Sequence, residues 1–231
     1  MNPSVYDIPV LNLALATSLI AVVFFIYWRW SLKPFTVVYA AVRMVVQLAA
    51  IGFVLVALFQ FESALLMTAI LAVMLTTATW IALRPLRHET KHLYRRALVS
   101  LFWGCVPTLF LIVFGVVRLH PWYEPRYFIP IAGMIFSNAM NSLSLAAERF
   151  HAERARNVPF QEARNVAFQA SLLPTINSFF AVGIVSLPGM MTGQILAGVS
   201  PLIAVRYQIM VMCMLLGASG ISSWAYLSKS R

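Results

Sequence analysis

Hydrophobic positions in this chain neither alternate nor fall into narrow helical stripes; they come in long, nearly unbroken runs. A helix needs roughly 20 mostly apolar residues to cross a bilayer. Seven runs reach about that length, at residues 8–28, 36–59, 63–82, 97–117, 127–147, 166–187 and 207–227. The polar stretches between them are too short to build a soluble domain. The pattern predicts an all-α, polytopic membrane protein with about seven transmembrane helices, in a single transmembrane domain over residues 1–231. The stretch before the first run, Met1 to Asp7, carries no Lys or Arg. That run therefore reads as a span rather than a cleaved signal peptide.

Composition sharpens this picture. Of 231 residues, 61% are hydrophobic and 10% charged, against about 25% charged in an ordinary soluble domain. Too few charges remain to cover a globular surface, which excludes a soluble enzyme. The net charge of +10 raises the question of nucleic acid, but the basic residues sit in short clusters between apolar runs, as membrane topology requires. No nucleic-acid partner is expected; the partner surface is the lipid bilayer.

The same clusters orient the chain. With the N-terminus outside, the inner segments hold Arg29 and Lys33, the group Arg84, Arg87, Lys91, Arg95 and Arg96, the group Arg149, Arg154, Arg156 and Arg164, and Lys229 and Arg231. The outer connections hold only Arg118, Arg126 and Arg206. Thirteen basic residues against three predict N-out, C-in.

Three enzyme readings fail on their chemistry. A P-loop needs a Gly-Lys pair, and Lys33, Lys91 and Lys229 follow Leu, Thr and Ser. The chain is therefore not expected to hydrolyse ATP by that route. His88-Glu89-Thr90-Lys91-His92 has the spacing of a zinc-protease helix, but a dense basic loop repels a divalent cation and no third ligand is nearby. Gly217-Ala218-Ser219-Gly220 matches a serine-nucleophile motif, yet no histidine follows Ser219 to serve as base; small residues for helix packing are the simpler reading. Cys105 and Cys213 both lie in apolar runs and form no CxxC site. No cofactor is expected.

Polar groups inside a bilayer are costly and point to function or to helix–helix bonding. Arg43 and Gln47 share a face of the second span, and Glu148 at the end of the fifth is a candidate partner for Arg43. The fifth span carries Ser137, Asn138, Asn141 and Ser144 at helical spacing, a face that must bond neighbouring helices or line a wet pathway. The sixth holds Pro174 within Pro174-Thr175-Ile176-Asn177-Ser178, and the fourth holds Pro107.

Two segments depart from plain spans. Glu148 to Arg164 is amphiphilic, with Pro159 suited to a helix start and Phe160 expected as an exposed aromatic knob beside Glu162 and Arg164. Ser186 to Gln208 is glycine-rich, bounded by prolines and apolar. This second run, with Ile129-Pro130-Ile131-Ala132-Gly133-Met134 and Arg43-Met44-Val45-Val46-Gln47-Leu48, closely resembles the FetB-type permease family. Bacterial members are regarded as iron-export ABC permeases, and plant relatives are linked to aluminium tolerance. The resemblance implies a homodimeric inner-membrane permease energised by a separate ATP-binding cassette subunit. Pro159-Phe160-Gln161-Glu162-Ala163, followed by Arg164, resembles the family's ATPase-coupling segment, although Arg156-Asn157-Val158 replaces its usual Gly-Ala-Thr/Ser lead-in.

Iron usually takes carboxylate, imidazole or thiolate ligands, and no acid lies near a midplane here. The expected substrate pathway is Arg43, Gln47, Ser137, Asn138, Asn141, Met190, Met191 and Gln194, with Met134 and Met140 as further weak donors and the metal ligands undetermined. An anionic cargo centred on Arg43, such as a sugar nucleotide or a metal chelate, is the rival reading, and a non-transporting scaffold the third.

Overall fold

The computed structural model describes residues 8–58, 63–86 and 90–228. Its described elements are helical, apart from a single parallel bridge between Val182 and Ser186. They form two compact units, Met1–Phe61 and Glu62–Arg231.

The first unit is a helical hairpin, α1 (Val10–Arg29) and α2 (Phe35–Leu58). Ser31 makes the reversal in the left-handed conformation, with φ 56°. The Phe24 and Phe35 rings meet edge to face across it at 6.3 Å. Leu, Val and Phe side chains stay exposed all round both helices. In water that would be untenable; a surface apolar on every side is what lipid requires.

The second unit has a packed core. Its helices are α3 (Ala64–Ala82), α4 (Thr90–Phe110), α5 (Pro125–Ala155), α6 (Phe160–Ala181), α7 (Gly189–Leu196) and α8 (Pro201–Ser228). A 3₁₀ turn at Arg84–Leu86 follows α3, and α4 widens into π-helical turns over Leu111–Val117. α5 is the hub, packed on α3, α4, α6 and α8. Its buried positions, among them Phe128, Ile131, Ile135, Ala139, Leu143, Ala146 and Phe150, recur every three or four residues and define one helical face.

Two contacts fix the helix directions. Arg96, near the start of α4, donates from Nε and Nη2 to the Tyr226 carbonyl near the end of α8, at 2.9 and 2.6 Å. Its guanidinium also lies over the Tyr226 ring, 4.6 Å from the centroid. α4 and α8 are therefore antiparallel. The start of α6 (Arg164, Asn165, Phe168) shares a pocket with the end of α8 (Trp224, Leu227, Ser228). The end of α6 (Phe179, Val182) shares another with the start of α8 (Val205, Ile209). α6 thus runs the length of α8 in the opposite sense.

Small residues let these helices approach, because lipid supplies no hydrophobic drive for helix association. A Cβ on Gly104 of α4 would run into Ser222 Oγ, and would lie 2.8 Å from the Ser222 nitrogen and 2.9 Å from the Ala218 carbonyl of α8. Pro107 interrupts the α4 ladder just beyond, where Thr108 Oγ1 donates to the Gly104 carbonyl at 2.7 Å.

Among the described residues six helices are long and apolar enough to cross a membrane: α1, α2, α3, α4 with its π extension, α5 and α8. α6 falls below that measure because Gln161, Glu162, Arg164, Asn165, Gln169 and Asn177 dilute it. The run expected at 166–187 ends as a helix at Ala181; residues 182–186 turn, with Gly183 at φ 85°. The glycine-rich segment after it is one short helix, α7, and the opening turns of α8.

Candidate functional site: the polar stripe, the inner turn and the sulfur-lined cavity

The polar stripe of α5 lies off its buried face. Ser137 and Asn141 are exposed, while Asn138 and Ser144 are half-buried. Thr175 Oγ1 of α6 donates to Asn138 Oδ1 at 3.4 Å, and Ser137 Oγ bonds back to the Met134 carbonyl at 3.2 Å. One amide of the stripe therefore bonds a neighbouring helix, as one reading required. Asn141 presents its amide where no helix of this unit covers it. In an apolar medium such a group needs water or another polar surface.

α7 packs on α8. Met190 packs against the core, and Met191 lines a cavity of ≈ 350 Å³ between the end of α6, α7 and the start of α8. Among the described residues no side-chain hydrogen bond joins α7 to the α5 stripe, so the expected pathway residues fall into two groups. Gln194 Oε1 is buried without a hydrogen-bond partner, and so is Oε1 of Gln208, a residue only 5% exposed that lines the same cavity. Met212 and Cys213 complete the wall. Sequence reasoning missed Gln208, Met212 and Cys213. Gln208 and Met212, four apart, share one face of α8 and Cys213 follows round the helix, but Met191, which lines the same cavity, comes from another element.

Arg43 and Gln47 belong to the first unit, Arg43 half-buried and Gln47 exposed. Glu148 belongs to the second and is exposed, next to the Arg149–Glu153 ion pair at 2.7 Å.

The inner turn is well made. Asn157 reverses the chain at φ 62°, Arg154 Nη1 donates to the Val158 carbonyl at 2.8 Å, and Pro159 precedes the first turn of α6. Phe160 is not the free knob its polar neighbours suggested. It is half-buried, edge to face on Phe150 of α5 at 5.7 Å, because the tight turn brings α6 back onto α5. Ala163 is fully buried, while Pro159, Gln161 and Glu162 are exposed. Arg164 donates to Asn165 Oδ1 at 3.3–3.4 Å, beside Trp224.

The two enzyme-like motifs lie apart from these groups. Ser219 is fully buried in the core on α8, where a serine of the Gly217-to-Gly220 motif serves packing. His88 and Glu89 lie outside the described residues; among those described, no group of three His, Cys, Asp or Glu side chains could hold a metal ion.

With α5 as hub, the glycine-rich segment on α8 and the tight turn at the foot of α5, the chain can be set beside known proteins. The model of the uncharacterised protein family UPF0014 matches residues 10–159 and 155–230. This chain belongs to the UPF0014 family. It is 33% identical over 220 residues to the UPF0014 membrane protein slr1647 of Synechocystis, covering 89% of this chain and 85% of that one. It is 33% identical over 226 residues to Protein ALUMINUM SENSITIVE 3 of Arabidopsis thaliana, covering 91% and 81%. It is 30% identical over 228 residues to the probable iron export permease protein FetB of Escherichia coli, covering 92% and 86%. No solved structure matches. As a UPF0014 member with six apolar helices of spanning length among the described residues, the chain is a multi-pass membrane protein.

Proposed function

We propose that this chain is the membrane-spanning subunit of an ABC transporter, exporting iron or another metal ion across the inner membrane. A separate subunit hydrolyses the ATP, and two copies of the permease form the path. The observation that carries this reading is the match, over 92% of the chain, to a relative named as a probable iron export permease.

The geometry supports the details. α5, at 31 residues, is roughly 46 Å long and exceeds a hydrocarbon core of about 30 Å. Its polar last turns and the Pro159–Arg164 segment therefore stand clear of the bilayer. They do so at the end of the bundle that gathers Arg95, Arg96, Arg149, Arg154, Arg156 and Arg164. That end is the cytoplasmic one by the positive-inside bias, where a soluble ATPase is reached. The antiparallel course of α6 beside α8 adds a seventh crossing to the six apolar helices, which gives N-out and C-in. The exposed amide of Asn141 and the exposed Ser137 supply a polar track through the hydrocarbon. Arg43 and Gln47 belong to the proposed pathway on their sequence position.

The test is iron(II) accumulation in everted membrane vesicles. ATP-dependent uptake is expected only when the permease and an ATP-binding partner are both present. Uptake of an anionic chelate but not of the free ion would shift the cargo to the Arg43-centred reading. Absence of any ATP-dependent flux would leave a scaffold.

A further inference from the structure

One face of α5 is turned away from the helices of its own unit. Pro130, Met134, Ser137, Asn141, Ser144 and Glu148 are each exposed or half-buried along it, spaced four, three, four, three and four residues apart. That alternation is the heptad seam along which one helix packs on one other. The core face of the same helix, with Ile135, Ala139 and Ala146, lies on the other side.

The middle of the seam does not suit lipid. Asn141 stands ~22 Å along the helix from Arg126 at its outer end, inside a hydrocarbon layer of about 30 Å. Ser137 lies one turn away on the same face, and both side chains are exposed. Asn138, their neighbour, is partnered by Thr175 of α6. An amide facing hydrocarbon without such a partner is costly, so the seam calls for a polar surface rather than acyl chains.

The chemistry of the amide selects the occupant. A carboxamide both donates and accepts, so it complements a copy of itself. All copies of one chain insert with the same orientation, so a two-fold axis relating two of them runs along the membrane normal. About that axis the two α5 helices are parallel, and each seam residue faces its own counterpart: Ser137 meets Ser137, and Asn141 meets Asn141. A single asparagine in such a seam fixes register and pairing in parallel coiled coils, and in a bilayer its interhelical hydrogen bonds add to association.

We infer that the Pro130–Glu148 face of α5 is the surface on which a second copy of this chain docks, α5 against α5 in parallel. The inference rests on the two-copy permease reading for its role, since it puts the Ser137–Asn141 track between the copies; association is measurable without transport.

The experiment is disulfide cross-linking of the full-length chain in native membranes. The exposed Cys213 is first replaced, Cys213→Ser, and the buried Cys105 is kept. Ser137→Cys and Asn141→Cys, introduced singly, should each give a covalent dimer on oxidation with copper phenanthroline, because like residues of a parallel seam come within disulfide reach. Val73→Cys, on α3 and 64% exposed at the native valine, should remain a monomer. As a measurement that needs no cross-link, sedimentation of the unaltered protein in mild detergent should give the mass of two 25.8 kDa chains. Asn141→Leu should weaken that association on the order of 10-fold with helix content unchanged, and Asn141→Gln should restore it. Dimer yields from the two seam positions no higher than from Val73→Cys, or a monomeric unaltered protein, overturn the docking face. A disulfide formed inside one chain, from Asn141→Cys to Gln47→Cys, would give the seam to the α1–α2 hairpin and overturn it too. ATP-dependent iron uptake without seam cross-links leaves the permease reading standing with its copies meeting elsewhere. Cross-links without such uptake leave the docking face standing in a protein that is not that permease.

Discussion

At the scale of single residues, the tightest constraint in the protein is Gly104. Its missing Cβ is the space occupied by Ser222 and the Ala218 carbonyl of α8, and two backbones cannot move apart without disturbing the packed core. Gly104→Ala is expected to destabilise the second unit by about 1–3 kcal/mol, read as a lowered melting temperature in detergent. At Gly52 an added Cβ would have no atom within 4 Å, so alanine there should bring no such loss; equal melting of the two variants would refute the close-approach argument. The inner turn makes a second case. Glu162 is exposed and touches nothing that holds the turn, whereas Phe160 packs on Phe150. Glu162→Lys should therefore uncouple ATP hydrolysis from transport with melting unchanged. Phe160→Ala should lower melting as well, since it removes an aromatic contact worth about 0.5–1.5 kcal/mol beyond its buried area. On the proposed reading, normal coupling in Glu162→Lys would move the ATPase contact to the basic stretch from Arg87 to Arg96.

Whole helices are held by different means. Arg96 ties the start of α4 to the end of α8 through one carbonyl and one ring. Charge-assisted hydrogen bonds of this kind contribute about 1.5–3 kcal/mol, so Arg96→Gln should lower the melting temperature while leaving the helix content, read by circular dichroism, unchanged. α6 is the one long helix of its unit without a stretch apolar enough to count as a span, yet it lies along α8 from end to end. Cysteines introduced at its two ends test whether it crosses. Asn165→Cys should react with an impermeant reagent only from the cytoplasmic side, and Ser186→Cys only from outside. Reaction of both from one side would reduce the spans to six and reverse the direction of everything before α8.

For the molecule as a whole, the distribution of charge sets orientation. In the second unit Arg118, Arg126 and Arg206 lie toward one end of the bundle, and Arg95, Arg96, Arg149, Arg154, Arg156 and Arg164 toward the other. Glu124→Cys is accordingly expected to label in intact cells, and Arg154→Cys only after permeabilisation. The first unit buries almost none of its apolar surface internally, so its stability depends on lipid or protein around it. The second unit has its own core and should hold its fold in mild detergent.

Much of this was legible in the residues themselves. Long apolar runs have one solution in a bilayer, since every backbone group must bond within its own helix; that determined the all-α class and the positions of α1 to α5 and α8. Basic residues are kept from crossing, so the short loops carry the expectation of N-out and C-in. The run from Ser186 to Gln208, with Ile129–Met134 and Arg43–Leu48, carried the family. What the chain could not display in one dimension was which helical faces meet. A hydrophobic run signals burial in lipid and burial in protein equally, so the core face of α5 was hidden until α3, α4, α6 and α8 packed on it. Phe160 sits among polar neighbours in sequence, and only the tight turn at Asn157 placed it on Phe150. Arg96 read as one more topological charge until the end of α8 came under it. Met191, Gln208, Met212 and Cys213 are ordinary span residues one by one. The antiparallel course of α6 beside α8, with α7 tucked between their ends, gathered them around one cavity, and only tertiary packing could decide that.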